Sequence, residues 1–473
     1  MDKRNMKTHI FRSARFLLLL FLILIVYITY LQAITGEQLA ANPLNHRGTE
    51  GQTQVLRGNI LDANNRKIAF SQKSGDAIER IYPYGAVLAP VSGYIGKTIG
   101  NAGLEGSANA DLSGQNNFWH KFGPISQLFA ADSGNQVKLT VDAEVQKAAY
   151  KALGNRRGAV VVLDASTGAV LAMVSRPAFD PNTVERDWES LRQQEGSPLL
   201  NRGAQGLYPP GSTFKVLIAD AALKEKVVTQ TETFSCPGYL KVGNYTMYES
   251  HNEVHGQVDL KEALTVSCNT TFGTLALRLG ADKLQSSFER FGFTKELNND
   301  MEEAPLHLPA FKQLNDGEIS QIGIGQGSLL VTPLRMAMLA AAFANHGVIM
   351  KPYLIQEVLS PGGFTIKKAT PTKWLEATTP EQAGLILSYM RNVVKDGTGR
   401  SAAVSGIEVA GKTGTAENSG GEDHAWFIGS APLPKHNIAF AVIVENSGGG
   451  GVEAAPIARQ IIMNILDTEG VAP

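Results

Sequence analysis

Residues 16–36, FLLLLFLILIVYITYLQAITG, carry no charged side chain. As a helix rising ~1.5 Å per residue they would reach about 31 Å, the depth of a bilayer's hydrocarbon core. Lys3, Arg4, Lys7, Arg12 and Arg15 stand before this stretch. A basic flank of this kind stays in the cytoplasm, which puts the chain beyond residue 36 outside. A cleaved signal peptide would have a shorter apolar region and end in an Ala-x-Ala-like site, which is not found here. The reading is therefore a cytoplasmic tail over 1–15, an uncleaved anchor over 16–35 and an extracytoplasmic remainder. Chemistry that depends on ATP or reduced nicotinamide is excluded there.

That remainder is long enough for two units with ample core in a chain of 473 residues. Its 43 Lys+Arg against 44 Asp+Glu give a net charge of −1, without the basic surplus of a general nucleic-acid binder. Two cysteines rule out a disulfide-dense scaffold and leave no ligands for a thiolate zinc site. Residues 37–57 read as a polar stalk, and from Arg57 to Asn135 the chain is Gly- and Asn-rich with short strand-like runs such as GNILDANNRKIAF. At Val137 the texture changes to a strand followed by an amphipathic helix, with Val141, Val145, Ala148, Ala149 and Ala152 at helical spacing. GAVVVLDA and GAVLAMVS flank a hairpin turn at Ser166-Thr167-Gly168. The section from Ser212 to Phe343 reads as mostly helical. Strands return in IEVAGKTGT, HAWFIGSAP and NIAFAVIVEN, a loop covers Ser447 to Gly451, and APIARQIIMNIL closes the chain as a helix. Strands on both sides of a helical middle predict an α+β domain whose sheet joins distant parts of the chain.

Three short motifs stand in order: Ser212-Thr213-Phe214-Lys215, Ser267-Cys268-Asn269 and Lys412-Thr413-Gly414. Tyr208-Pro209-Pro210-Gly211 gives a sharp entry to the first, and FKVLIADAALKEK after it is apolar on nearly every face, as a buried helix is. Ser212 then sits in a first turn, where free N–H groups favour developing negative charge. Lys215 lies one turn on, within reach of the hydroxyl. A serine needs a base to become a nucleophile, and a lysine serves only when neutral. Burial and a second cation, Lys412, would both lower its pKa.

Singly these patterns are common, and S-x-x-K alone more often marks a helix cap beside a surface lysine. Together they form the signature of penicillin-recognising serine enzymes. Over most of its length after the anchor the chain resembles a class B penicillin-binding protein of the short type, a monofunctional peptidoglycan D,D-transpeptidase of the bacterial cell membrane. Segments that carry the resemblance include YPYGAVLAPVSGYIG, GLEGSANADLSG, YPPGSTFK, SCNTTF, IGIGQGSLLVTPLRMA and GTGRSAAVSGIEVAGKTGTAE. It implies a pedestal domain over 36–135 and a transpeptidase domain over 136–473, with a central antiparallel sheet, flanking helices and an all-helical subdomain.

The resemblance also implies roles. Ser212 attacks the carbonyl between the last two D-alanines of a stem peptide, with Lys215 as base. Ser267 passes a proton to the leaving amine, and Asn269 holds the substrate amide and Lys215. Lys412, Thr413 and Thr415 line an edge strand that binds the substrate's terminal carboxylate, and Gly414 lets substrate backbone approach. The oxyanion hole would be the N–H groups of Ser212 and Thr415, and β-lactams would acylate Ser212. No cofactor and no metal is implied. The expected partner is a multi-spanning membrane polymerase of glycan strands. Two departures stand out: the first domain is short for the class, and Cys268 replaces the Asp of class A β-lactamases. A β-lactamase, or a β-lactam sensor or scaffold without catalysis, is the alternative.

Other patterns compete less well. Gly406 to Thr413 satisfies the phosphate-loop formula, but GTAENSGGEDHAW after it cannot start the helix such a loop needs. His251 and His255 in HNEVH lack the metalloprotease order, and read as loop or structural residues. Gly323, Gly325 and Gly327 read as a turn, Cys236 and Cys268 as free thiols, and His424 and Trp426 as packing residues.

Overall fold

The apolar runs on either side of the helical middle meet in one sheet. The computed structural model describes residues 3–30, 56–75, 77–115, 133–418 and 420–469, so the expected stalk, all but Leu56 and Arg57, lies outside the described residues. Five antiparallel strands lie in the order Ala410–Ala416, His424–Pro432, Asn437–Val444, Gly158–Asp164 and Val170–Arg176. Every residue of Gly158–Asp164 is buried. Side chains alternate across a strand, so Val160 and Val162 enter one core while Ala159 and Val161 enter another. Helices Ala143–Leu153 and Gly450–Glu469 supply the first core. The second contains Lys215–Lys224 and the wholly buried Pro333–Ala344, which explains why the first of these helices reads as apolar on nearly every face. Ala410–Ala416 is left as an edge strand.

A second, six-stranded sheet runs Thr365–Lys368, Ile355–Leu359, Gln136–Leu139, Ile60–Leu61, Lys67–Ser74 and Ala77–Ile81. Gln136–Leu139 pairs in parallel with Ile60–Leu61 and antiparallel with Ile355–Leu359. The division expected at residue 135 thus runs through a sheet, and Leu56–Pro473 forms one compact unit. Its neighbour in sequence, Met1–Val55, contains a helix over Lys3–Tyr30, so the basic tail and the apolar stretch share one helix. Within it Phe11–Ile28 is long and apolar enough to cross a membrane.

Two local expectations change. The middle section holds two small sheets as well as helices: Thr233–Cys236 with Gly256–Asp259, and Tyr239–Val242 with Tyr245–Tyr248. The closing helix begins at Gly450, inside the run expected as a loop. Packing of its apolar face on the sheet overrides the poor helix propensity of Gly450 and Gly451.

Candidate active site

The turn that presents Ser212 is built from two glycines that touch. Gly211 has φ +55° and donates its N–H to the Gly325 carbonyl at 2.9 Å, and Gly325 has φ +72°. A Cβ on Gly325 would stand 2.1 Å from the Gly211 oxygen, and one on Gly211 would stand 2.6 Å from the Thr415 oxygen. Only glycine fits either place. Ser212 then falls in a single 3-10 turn, Gly211–Phe214, that leads directly into helix Lys215–Lys224. The Thr213 hydroxyl ties this turn by donating to the Pro210 carbonyl at 2.6 Å. Thr213 and Phe214 are buried, while Ser212 stays half-open with a side chain that makes no hydrogen bond among the described residues.

Lys215, Ser267, Asn269 and Lys412 converge beside it. Lys215 Nζ donates to Asn269 Oδ1 at 2.7 Å, to the Ser267 carbonyl at 2.6 Å and to Ser267 Oγ at 3.3 Å. Lys412 Nζ donates to the same hydroxyl at 2.9 Å. Both amines are fully buried. Burial lowers the Lys215 pKa to about 8, against an opposing pull from the Glu249 carboxylate. Burial also drives Lys412 well below its usual value, and the Lys215 cation adds to that. Of the two expected causes, burial is the one that acts on Lys215. Desolvation lowers Lys215, and the like-charge repulsion falls on Lys412, whose hydrogen-bond partners include no carboxylate.

A prediction follows for pH dependence. With Lys215 as the base, a role it can fill only when neutral, acylation by penicillin should rise with pH through about 8 and level off above it. Lys412→Met keeps the site dry and removes the second cation, so the limb should stay near 8. A rate profile in which that variant's limb moved up towards an ordinary lysine, roughly 10.4, would show that repulsion dominates.

Ser267-Cys268-Asn269 occupies the joint between two helices. Ser267 closes Leu260–Val266 in the left-handed region (φ +63°), a conformation rare outside glycine. Cys268 caps Asn269–Arg290, accepting the Thr271 N–H at its sulfur. The first N–H groups of that helix, from Asn269 and Thr270, donate to the two oxygens of Glu249 at 2.7 Å each. A buried carboxylate thus caps the helix that carries Asn269. Glu249 belongs to no motif, and the sequence reading missed it.

Lys412, Thr413, Gly414 and Thr415 lie on the edge strand Ala410–Ala416, as expected, so Gly411-Lys412-Thr413 is no phosphate loop. Thr413 Oγ1 shares a 2.5 Å hydrogen bond with Thr398 Oγ1, and Thr415 is half-buried. Gly414 also has a reason within the chain to be small. A Cβ there would stand 2.8 Å from Thr213 Cγ2 and 3.1 Å from Trp426 Cβ, so it is the nucleophile turn that approaches closely. Trp426 also fixes the entry to that turn, its indole N–H donating to the Pro209 carbonyl at 3.0 Å. His424 packs edge-on against Tyr208 and accepts the Asn446 N–H. Cys236 and Cys268 are free and buried.

Comparison with known proteins agrees with this geometry. Residues 158–463 match the family model of the penicillin binding protein transpeptidase domain, and residues 57–135 that of the penicillin binding protein A dimerisation domain. The peptidoglycan D,D-transpeptidase PbpA of Mycolicibacterium smegmatis is 34% identical over 98% of this chain and 99% of its own. The ceftriaxone acyl-enzyme of penicillin-binding protein A from M. tuberculosis superposes with a TM-score of 0.82 at 30% identity, covering 88% of this chain and 99% of that one. The D,D-transpeptidase domain of a peptidoglycan glycosyltransferase from Eggerthella lenta gives 0.81 at 34% identity, covering 88% and 99%. With a transpeptidase model matched over more than half its length and a PbpA relative aligned almost end to end, the chain belongs to the class B penicillin-binding proteins.

Proposed function

We propose that this protein is a serine-type peptidoglycan D,D-transpeptidase working through an acyl-enzyme on Ser212. Lys215 takes the proton from Ser212 Oγ, which attacks the carbonyl carbon between the two terminal D-alanines. The N–H groups of Ser212 and Thr415 stabilise the oxyanion. Ser267 passes a proton to the leaving amine, and D-alanine departs. An amine from a second stem peptide then attacks the ester and completes the cross-link. Lys412, Thr413 and Thr415 hold the terminal carboxylate of the donor. The observation that most supports these roles is the meeting of two buried amines on one serine hydroxyl, with one amine brought to about 8. That hydroxyl belongs to Ser267, and Lys215, three residues after Ser212, supplies the neutral amine that a serine nucleophile needs.

The same reading divides the work along the chain. Residues 1–15 form the cytoplasmic tail, 16–35 the anchor, 36–135 a pedestal and 136–473 the transpeptidase domain, outside the cell membrane. The pedestal and anchor serve contact with a multi-spanning membrane polymerase of glycan strands. β-Lactams, which resemble the D-Ala-D-Ala end, acylate Ser212.

Full-length protein in detergent, incubated with a fluorescent penicillin, tests the assignment. Wild type should carry one label that persists for many minutes, because the acyl group is kept from water until an amine arrives. Ser212→Ala should carry none. Rapid repeated turnover of benzylpenicillin would identify a β-lactamase instead, and no label on folded wild type would leave a sensor or scaffold.

A further inference from the structure

The run that delivers Ser212 has few backbone donors of its own. Pro209 and Pro210 carry no N–H, so within Tyr208-Pro209-Pro210-Gly211 only Tyr208 and Gly211 can donate. Both are used. The Tyr208 N–H goes to the Val331 carbonyl at 3.0 Å, the Gly211 N–H goes to the Gly325 carbonyl, and the Tyr208 carbonyl accepts the Val331 N–H at 2.9 Å. The Tyr208–Val331 pairing is a single bridge and not a ladder. Further support has to come from side chains, and that of Tyr208 is the first of them. It is buried, its ring stands edge-on to Trp426 and His424, and its phenol donates to Glu445 Oε1 at 2.7 Å.

Glu445 holds three partners at once. It follows directly on Asn437–Val444, and its side chain is 6% exposed. Oε1 also accepts Arg202 Nε at 2.7 Å, while Oε2 takes Arg157. Arg202 is completely buried and gives its other donors to the Ser197 and Gly196 carbonyls, so Glu445 is its one carboxylate among the described residues. Burial, reinforced by the Glu445 charge, pushes the Tyr208 phenol well above its usual value, so it stays protonated and donates.

Past Glu445 the chain packs on the strands that carry the rest of the site. The Asn446 N–H donates to His424 Nδ1 at 3.1 Å, and the Ser447 and Gly448 N–H groups donate to the Asp423 carbonyl at 2.9 Å each. A Cβ on Gly450 would stand 2.1 Å from the Trp426 oxygen and 2.4 Å from the Gly414 oxygen. One residue thus joins the approach to Ser212 to the loop that backs Gly414.

We propose that Glu445 is a positioning residue for acylation: by holding the Tyr208 phenol it fixes the approach to Ser212 against the edge strand Ala410–Ala416. The inference rests on the reading of Ser212 as the nucleophile. Attack is sensitive to placement, about 1 Å costing ~100-fold in rate. The pairing with Arg202 is a separate task, since it offsets a buried charge and so concerns stability. Substitution separates the two. Tyr208→Phe removes the tie but keeps the ring packing and the Glu445–Arg202 pair. Glu445→Gln keeps an oxygen for the phenol but leaves Arg202 buried without a carboxylate.

In the test, full-length protein in detergent is mixed rapidly with fluorescent penicillin over a range of concentrations. The final extent of labelling counts competent sites. The limiting first-order rate reports attack by Ser212, and the half-saturating concentration reports binding before attack. Tyr208→Phe should label to the wild-type extent and melt near the wild-type temperature. Its limiting rate should be lower by roughly tenfold or more, at an unchanged half-saturating concentration. Glu445→Gln should do the reverse, melting at a lower temperature with a limiting rate close to that of wild type. If Glu445→Gln does not fold, Tyr208→Phe decides alone. A wild-type limiting rate in Tyr208→Phe, with Ser212→Ala unlabelled, overturns the inference and leaves the nucleophile in place. So does a reduced extent of labelling at an unchanged rate, the mark of a purely structural role. Absence of label on folded wild type overturns the nucleophile reading and this inference with it.

Discussion

Lys215→Met should slow acylation of Ser212 by penicillin about 10²–10⁴-fold, the range that a positioned base contributes. Methionine matches the length of the lysine stem and suits a fully buried position lying over the Phe272 ring. The variant should therefore fold, although Asn269 Oδ1 and the Ser267 carbonyl each lose a donor. Lys215→Arg should be no better, because a guanidinium does not give up its proton near neutral pH. A time course of label incorporation measures the loss, with Ser212→Ala as the zero. Acylation within about tenfold of wild type would mean that another group takes the proton, and Lys412 through Ser267 would be the candidate.

Gly325→Ala should be nearly as damaging, although the residue touches no reacting atom. The new methyl group would meet the Gly211 carbonyl oxygen at 2.1 Å and the Gly211 nitrogen at 2.9 Å. Both are backbone atoms that cannot swing aside, and φ +72° adds strain of roughly 1–2 kcal/mol for any L side chain. The relief is a shift of the turn that carries Ser212. A misplacement of about 1 Å can cost ~100-fold in rate, so acylation should fall by at least that much. Gly363→Ala is the control. It has φ +86° but open space around the new atom, so it should lose a little stability and no reactivity. Wild-type acylation in Gly325→Ala would mean that the turn tolerates displacement and that the glycine contact is incidental.

What the sequence revealed depended on how local each signal was. Ser212 and Lys215 share one turn, and the strands flanking Ser166-Thr167-Gly168 share one hairpin, so short spacing sufficed for both. Glu249 was invisible because its work, capping a helix that starts 20 residues later, is set by the fold and not by a pattern. The hairpin Tyr239–Val242 and Tyr245–Tyr248 left a readable sign in Gly243-Asn244, a two-residue turn between β-rich runs. That sign is brief beside the helical pattern that dominates Ser212 to Phe343. Gly414 was recognised as a close-approach residue, but sequence could not say which neighbour approaches. For Lys215 the apolar helix and the second lysine name both candidate causes, whereas their relative size needs coordinates.

A chain broken at residue 135 would strip strand Gln136–Leu139 of its parallel partner Ile60–Leu61 and leave one side bare next to Ile355–Leu359. Bare strand edges recruit other strands, so such a fragment invites aggregation. Recombination among relatives therefore meets a constraint that the reaction itself does not impose. A crossover ahead of Leu56 transfers the whole sheet together with the cleft, while one near residue 135 splits the sheet between two parents. The pieces of this protein that can be inherited separately are set by strand pairing, and they need not coincide with the pieces that perform separate tasks.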